Sequence, residues 1–181
     1  TNTDLTDRLL AAIRAETGNP DLGWALPPEP LIGGFWATMF IVELSGAPES
    51  MRGRKVARLM PDAATAAHET AVQQWVHDVG VPAPAIRAAG QPSALLAEAW
   101  SLMDFAPGQP LLSGLSAVQA VRKARTIARR MPDLLARAAA RLHSCEIHAL
   151  ASALAVTGLD PTITAFIHRL GEPAELAGRT D

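Results

Sequence analysis

The sequence predicts an α+β domain, and three observations carry that expectation. Short apolar runs such as Met39-Phe40-Ile41-Val42 are bounded by Gly- and Pro-marked turns, as strands are. One long helical pattern, Ala63 to Val79, is inserted among these runs. After Pro110 the chain becomes helical in pattern. Several strands with a single inserted helix form an α+β arrangement.

With 181 residues the chain can bury a real core. Its 49% hydrophobic and 19% charged content is that of a globular protein. The formal net charge of −2 argues against a nucleic-acid or membrane-surface binder, which would carry a basic excess. One cysteine, Cys145, excludes an internal disulfide and a multi-cysteine metal site, and it reads as a buried structural thiol. No apolar run is long enough to span a bilayer. The start, Thr1-Asn2-Thr3-Asp4, lacks the features of a secretory signal. A cytoplasmic location is expected, with a processed or trimmed N-terminus because residue 1 is not Met.

Taken in order, Asp4 to Ala15 reads as a helix, with Leu5, Leu9, Ala12 and Ile13 at helical spacing. The Pro-rich stretch Trp24 to Pro30 reads as irregular, because each proline removes a backbone donor. Gly33-Gly34 looks like a turn before the strand Thr38 to Leu44. Paired glycines there serve either an ordinary hairpin or a close backbone approach to an anion.

Lys55 to Met60 reads as the next strand. Alternation puts Val56, Arg58 and Met60 on one face and Lys55, Ala57 and Leu59 on the other, so only one of the two cations can face a cleft. Arg58 sits among apolar neighbours, where a cation needs a partner. Lys55 is nearer the strand end, where it can reach water. Pro61-Asp62 breaks the strand, and Gly80-Val81-Pro82 stops the helix that follows.

Ala85 to Ala89 and Leu95 to Phe105 read as two more strands. Val118 to Arg130 carries a basic helix face, which usually means a solvated one. Met131-Pro132-Asp133 should open a further helix through His143, with Leu134, Leu135, Ala138, Ala139 and Leu142 in a core. Ala149 to Leu154 and Thr162 to Leu170 read as weakly helical, and Gly171 to Asp181 as frayed.

In chain order these pieces resemble the aminoglycoside phosphotransferase superfamily, which has the protein-kinase-like fold. The matching runs are Gly33-Gly34-Phe35-Trp36-Ala37, Val56-Ala57-Arg58-Leu59-Met60-Pro61 and His68-Glu69-Thr70-Ala71-Val72-Gln73-Gln74-Trp75-Val76. They continue through Gly80-Val81-Pro82-Ala83-Pro84, Ser101-Leu102-Met103-Asp104-Phe105-Ala106-Pro107-Gly108 and Leu135 to His143.

The resemblance implies a role for each of these residues. Gly33 and Gly34 would lie in the loop covering a nucleotide. Arg58 would stand at the position of the strand cation that holds the α- and β-phosphates, with Glu69 as its helix partner. Met103 would back the adenine pocket. The Asp104 carbonyl and the Ala106 N–H would meet the adenine edge, and Leu142-His143 would belong to a structural core helix. Residues 1–104 would form a nucleotide-binding lobe, and 105–181 a hinge with part of a helical second lobe. The cofactor would be ATP or GTP with Mg²⁺, and the acceptor a hydroxyl of a small molecule.

Two departures stand out. Position 58 is Arg, where many family members have Lys; the charge is kept and the geometry differs. The family's His-Gly-Asp catalytic run is missing, since none of His68, His77, His143, His148 and His168 is followed by Gly-Asp. No catalytic and no metal-holding residue is therefore assigned, and the chain reads as the N-terminal part of a longer phosphotransferase. Its exposed helices would be covered by a companion chain or by self-association. A non-catalytic nucleotide-binding or interaction module is the alternative.

Overall fold

The computed structural model describes residues 2–31, 36–108, 117–145, 150 and 152, with the backbone alone over 117–128. The described elements are α1 (Asn2–Thr17), β1 (Gly23–Trp24), β2 (Glu29–Pro30), β3 (Thr38–Ser45), a single 3₁₀ turn (Glu49–Met51), β4 (Arg54–Met60), α2 (Ala63–Asp78), β5 (Ile86–Gly90), β6 (Ala99–Asp104) and α3 (Ala117–His143). The strands pair antiparallel in the order β1-β3-β4-β6-β5, and β2 pairs with β3. The expected α+β class is the class observed.

Side-chain alternation gives the sheet two unlike faces. Phe40, Val42, Ala57, Leu59, Trp100 and Leu102 are buried beneath α1, which contributes Leu9, Leu10, Ala12 and Ile13 to the same cluster. These α1 positions recur at three- and four-residue spacing, so one stripe of the helix meets the sheet. On the opposite face α2 packs through Ala66 against Met60 and Ala99. The rest of that face stays partly open.

Asp62 starts α2. Its carboxylate accepts hydrogen bonds from the backbone N–H of Ala64 and Thr65 and from the Thr65 hydroxyl. Those bonds satisfy donors that the first helical turn leaves unpaired and hold the Asp62 carboxyl below the usual range, Thr65 contributing most. At the other end Gly80 adopts φ +79°, and the Val81 N–H donates to the Val76 carbonyl. Glycine accepts this left-handed conformation without the Cβ penalty.

Several expectations need correction. Trp24 to Pro30 is not wholly irregular: β1 and β2 lie in it, and Pro30 sits at a sheet margin, where its missing donor costs no ladder bond. Residues 95–98 lie outside β6, which begins at Ala99. No new helix opens at Pro132, because α3 runs unbroken from Ala117 to His143 with the proline inside. Proline deletes one hydrogen bond, and the surrounding Ala, Arg and Leu residues are strong helix formers.

Leu134, Leu135 and Leu142 are not core residues; they are 58%, 60% and 42% exposed. Ala138, Ala139 and His143 are exposed with them, since nothing described covers that face. Cys145 is half-buried rather than buried. Of the expected stretch Ala149 to Leu154 only residues 150 and 152 are described, both helical; Thr162 to Leu170 and the frayed tail lie outside the described residues. Among the described residues no helix is long and apolar enough to cross a membrane.

Candidate functional site

β4 delivers Arg58 to the half-open face of the sheet, between Met39 of β3 and Ser101 of β6. α2 crosses the same face and carries Glu69 toward it. The two side chains form an ion pair, Arg58 Nη2 to Glu69 Oε2, the partnership that the family resemblance implied. Burial pushes the Arg58 pKa down, but a guanidinium stays charged at neutral pH. Glu69 is its counter-charge. The Arg58 side chain is 22% exposed and that of Glu69 41%, so the pair is open to a third, anionic group.

A cavity of about 690 Å³ opens beside the pair. Its walls include Trp36, Met39, Met60, Thr65 and Met103 together with Arg58 and Glu69. One cation set among methionines and an exposed indole suits a ligand with a flat apolar part and a negative part. A second cavity, of about 600 Å³, lies across the ion pair and is lined by His68, Val72, Gln73, Val76 and the 82–84 segment. Gln73 Nε2 donates to the Pro84 carbonyl at 2.9 Å and approaches Met103 Sδ at 3.5 Å. His77 Nδ1 lies 2.9 Å from the Ala83 carbonyl. These bonds dock α2 onto the loop before β5 and so hold Glu69 in place.

Arg58, Glu69 and Met103 thus share one cavity. Asp104 and Ala106 follow Met103 in the chain, outside the lining of that cavity. Gly33 and Gly34 lie outside the described residues. Among the described residues no group of three His, Cys, Asp or Glu side chains could hold a metal ion.

Lys55 corrects the sequence reading. It does not reach water; it is buried at 5% exposure on the α1 face. Its ammonium pairs with Asp104 Oδ1 at 3.2 Å and donates to the Arg52 carbonyl at 2.5 Å. Arg87 grips the same carboxylate through Nε at 3.0 Å and Nη2 at 2.5 Å. These contacts hold the Asp104 carboxyl below the usual range, Arg87 contributing most and Lys55 next. The sequence signal for this cluster was faint. Lys55 and Asp104 are cross-strand partners, a relation that only the register of β4 on β6 discloses.

The phosphotransferase enzyme family matches residues 30–176, and the chain belongs to that family. The antiparallel sheet with α2 inserted after β4 agrees with the kinase-like small lobe that the sequence resemblance implied. A solved structure from Ralstonia eutropha, described as a "putative aminoglycoside phosphotransferase", is 21% identical with a TM-score of 0.43. That match covers 61% of this chain and 32% of the other, so the chain spans about a third of that protein's length. No curated protein matches.

Proposed function

We propose that this chain is the nucleotide-binding part of an ATP- or GTP-dependent phosphotransferase whose acceptor is a hydroxyl of a small molecule. The observation that carries the proposal is the Arg58–Glu69 pair at the wall of an open cavity, in a chain of the phosphotransferase enzyme family. Arg58 would hold the α- and β-phosphates, bidentately as a guanidinium can. Glu69 keeps Arg58 aimed and lowers the cost of its partial burial. Met103 would back the base, and the backbone of Asp104 and Ala106 would meet its edge. Gly33 and Gly34, outside the described residues, would by the family resemblance belong to the nucleotide-covering loop.

When bound, the nucleotide supplies the phosphoryl group, and Mg²⁺ would be held by residues other than those described. Positioning and charge neutralisation would supply most of the rate. The lobe boundary would fall at Asp104, and the protein would act in the cytoplasm.

Titration calorimetry with Mg·ATP tests the reading. Two backbone contacts of about 0.5–1.5 kcal/mol each and one charged contact of about 1.5–3 kcal/mol must offset the cost of immobilising the ligand. Weak, at best millimolar, binding that Arg58→Met abolishes is expected, without phosphoryl transfer. Binding that persists unchanged in Arg58→Met would refute the assignment of the phosphate cation.

A further inference from the structure

We propose that Lys55, Arg87 and Asp104 form a clamp that positions the backbone leaving β6, the segment assigned above to nucleotide-base recognition. The clamp rests on geometry from three strands. Asp104 is the last residue of β6, and its neighbours across the sheet each supply one cation. Lys55 reaches it from β4, at 3.2 Å. Arg87 reaches it from β5, at the register shift between Ile86 and Ala88. A bulge re-aims one side chain and bends the strand, so Arg87 turns toward the carboxylate with two of its nitrogens, Nε and Nη2.

The backbone is tied at the same point. The Asp104 N–H donates to the Ala85 carbonyl at 3.0 Å, and the Phe105 N–H to the Arg54 carbonyl at 3.3 Å. The Arg54 guanidinium lies 4.5 Å above the centre of the Phe105 ring. A single carboxylate therefore joins three strands where the chain leaves the sheet. Two features mark this as more than a surface salt bridge. Lys55 is buried, so its charge requires Asp104. Asp104 is also gripped bidentately, which fixes direction as well as distance. The carboxylate lies on the α1 face of β6, whereas Met103 lines the cavity from the other. Asp104, Lys55 and Arg87 are thus positioning residues, acting on the base-recognition backbone from behind.

Two measurements test the clamp. The first is amide hydrogen exchange in Arg87→Gln and Asp104→Asn, which needs no ligand. The Phe105 amide should exchange about tenfold to a hundredfold faster than in the wild type, with Leu102 and Ala57 unchanged. Unchanged Phe105 exchange, or an equal rise at Leu102, would overturn the clamp. Arg87→Gln keeps the test valid if Asp104→Asn fails to fold, because the Arg87 side chain is 34% exposed and Lys55 keeps its partner.

The second measurement displaces a fluorescent ATP analogue with ATP or with inorganic tripolyphosphate. Arg87→Gln should weaken ATP by about an order of magnitude and leave tripolyphosphate unchanged, whereas Arg58→Met should weaken both. ATP and tripolyphosphate weakened equally by Arg87→Gln would overturn the base-positioning role. This part of the inference rests on the proposed nucleotide site. If neither ligand binds the wild-type chain, that site is refuted, while hydrogen exchange still decides the clamp.

Discussion

Replacing Glu69 with Gln should destabilise the fold more than replacing Arg58 with Met. The two partners have unequal access to water: Arg58 is 22% exposed and Glu69 41%. Glu69→Gln leaves a largely enclosed guanidinium without its anion. A lost charged hydrogen bond is worth about 1.5–3 kcal/mol, and discounting for partial exposure leaves about 1–2 kcal/mol. Arg58→Met leaves a carboxylate that water can reach. It also adds a flexible apolar chain beside Met39, Met60 and Met103, whose packing offsets part of the loss. About 0.5 kcal/mol is expected. The double mutant should give a coupling energy near 1 kcal/mol, at the upper end of the range of exposed pairs.

Urea denaturation of the wild type, both single mutants and the double mutant at pH 7 supplies the cycle. Raising NaCl to 1 M shortens the screening length to about 3 Å and should reduce the coupling by no more than half, since the pair is in direct contact and partly shielded. A coupling below about 0.3 kcal/mol, or an Arg58→Met cost exceeding that of Glu69→Gln, would show that the ion pair does not organise this face.

Three further outcomes follow from the same structure. Arg87→Gln should make stability less dependent on acid. The Asp104 carboxyl is depressed in the folded state, so its contribution is present above the unfolded value of about 3.9 and is lost as pH falls through the lower folded value. The wild-type advantage in urea midpoint should therefore shrink as pH drops from about 5, and a constant advantage would contradict the assignment. Gly90→Ala should cost about 1–3 kcal/mol by urea denaturation, because a Cβ there would stand 2.4 Å from the buried Trp100 indole nitrogen. Near-wild-type stability would show that the indole moves aside readily. Finally, we propose that the exposed Leu134, Leu135 and Leu142 face binds a companion chain or a second copy. Leu134→Glu with Leu135→Glu should lower hydrophobic-dye fluorescence and any self-association seen in sedimentation, and no change in either would count against it.

The pieces that could be read from the sequence are those governed by local rules. Period-two alternation separated Arg58 from Lys55, and helical spacing marked the buried stripe of α1. Asp62 and Gly80 bounded α2 through their own chemistry. The class of the fold follows from such features, whereas Glu69 as the partner of Arg58 came from the family resemblance and was met because strand β4 and helix α2 are neighbours in the chain. Local rules failed where distant segments meet. Which face of β4 would be covered depended on α1 folding onto the sheet, and that choice buried Lys55 instead of leaving it in water. Its partner Asp104 lies beyond α2 and β5 in the chain, and Arg87 reaches it at a shift in register that no composition signals. Pro132 shows the same limit: the local penalty of one missing donor was real, but a 27-residue helix continues through it. Sequence determined the order and the faces of the elements, because those depend on neighbouring dihedrals. Tertiary structure decided which charges lost water, because desolvation is set by whatever packs above a residue and not by what adjoins it in the chain.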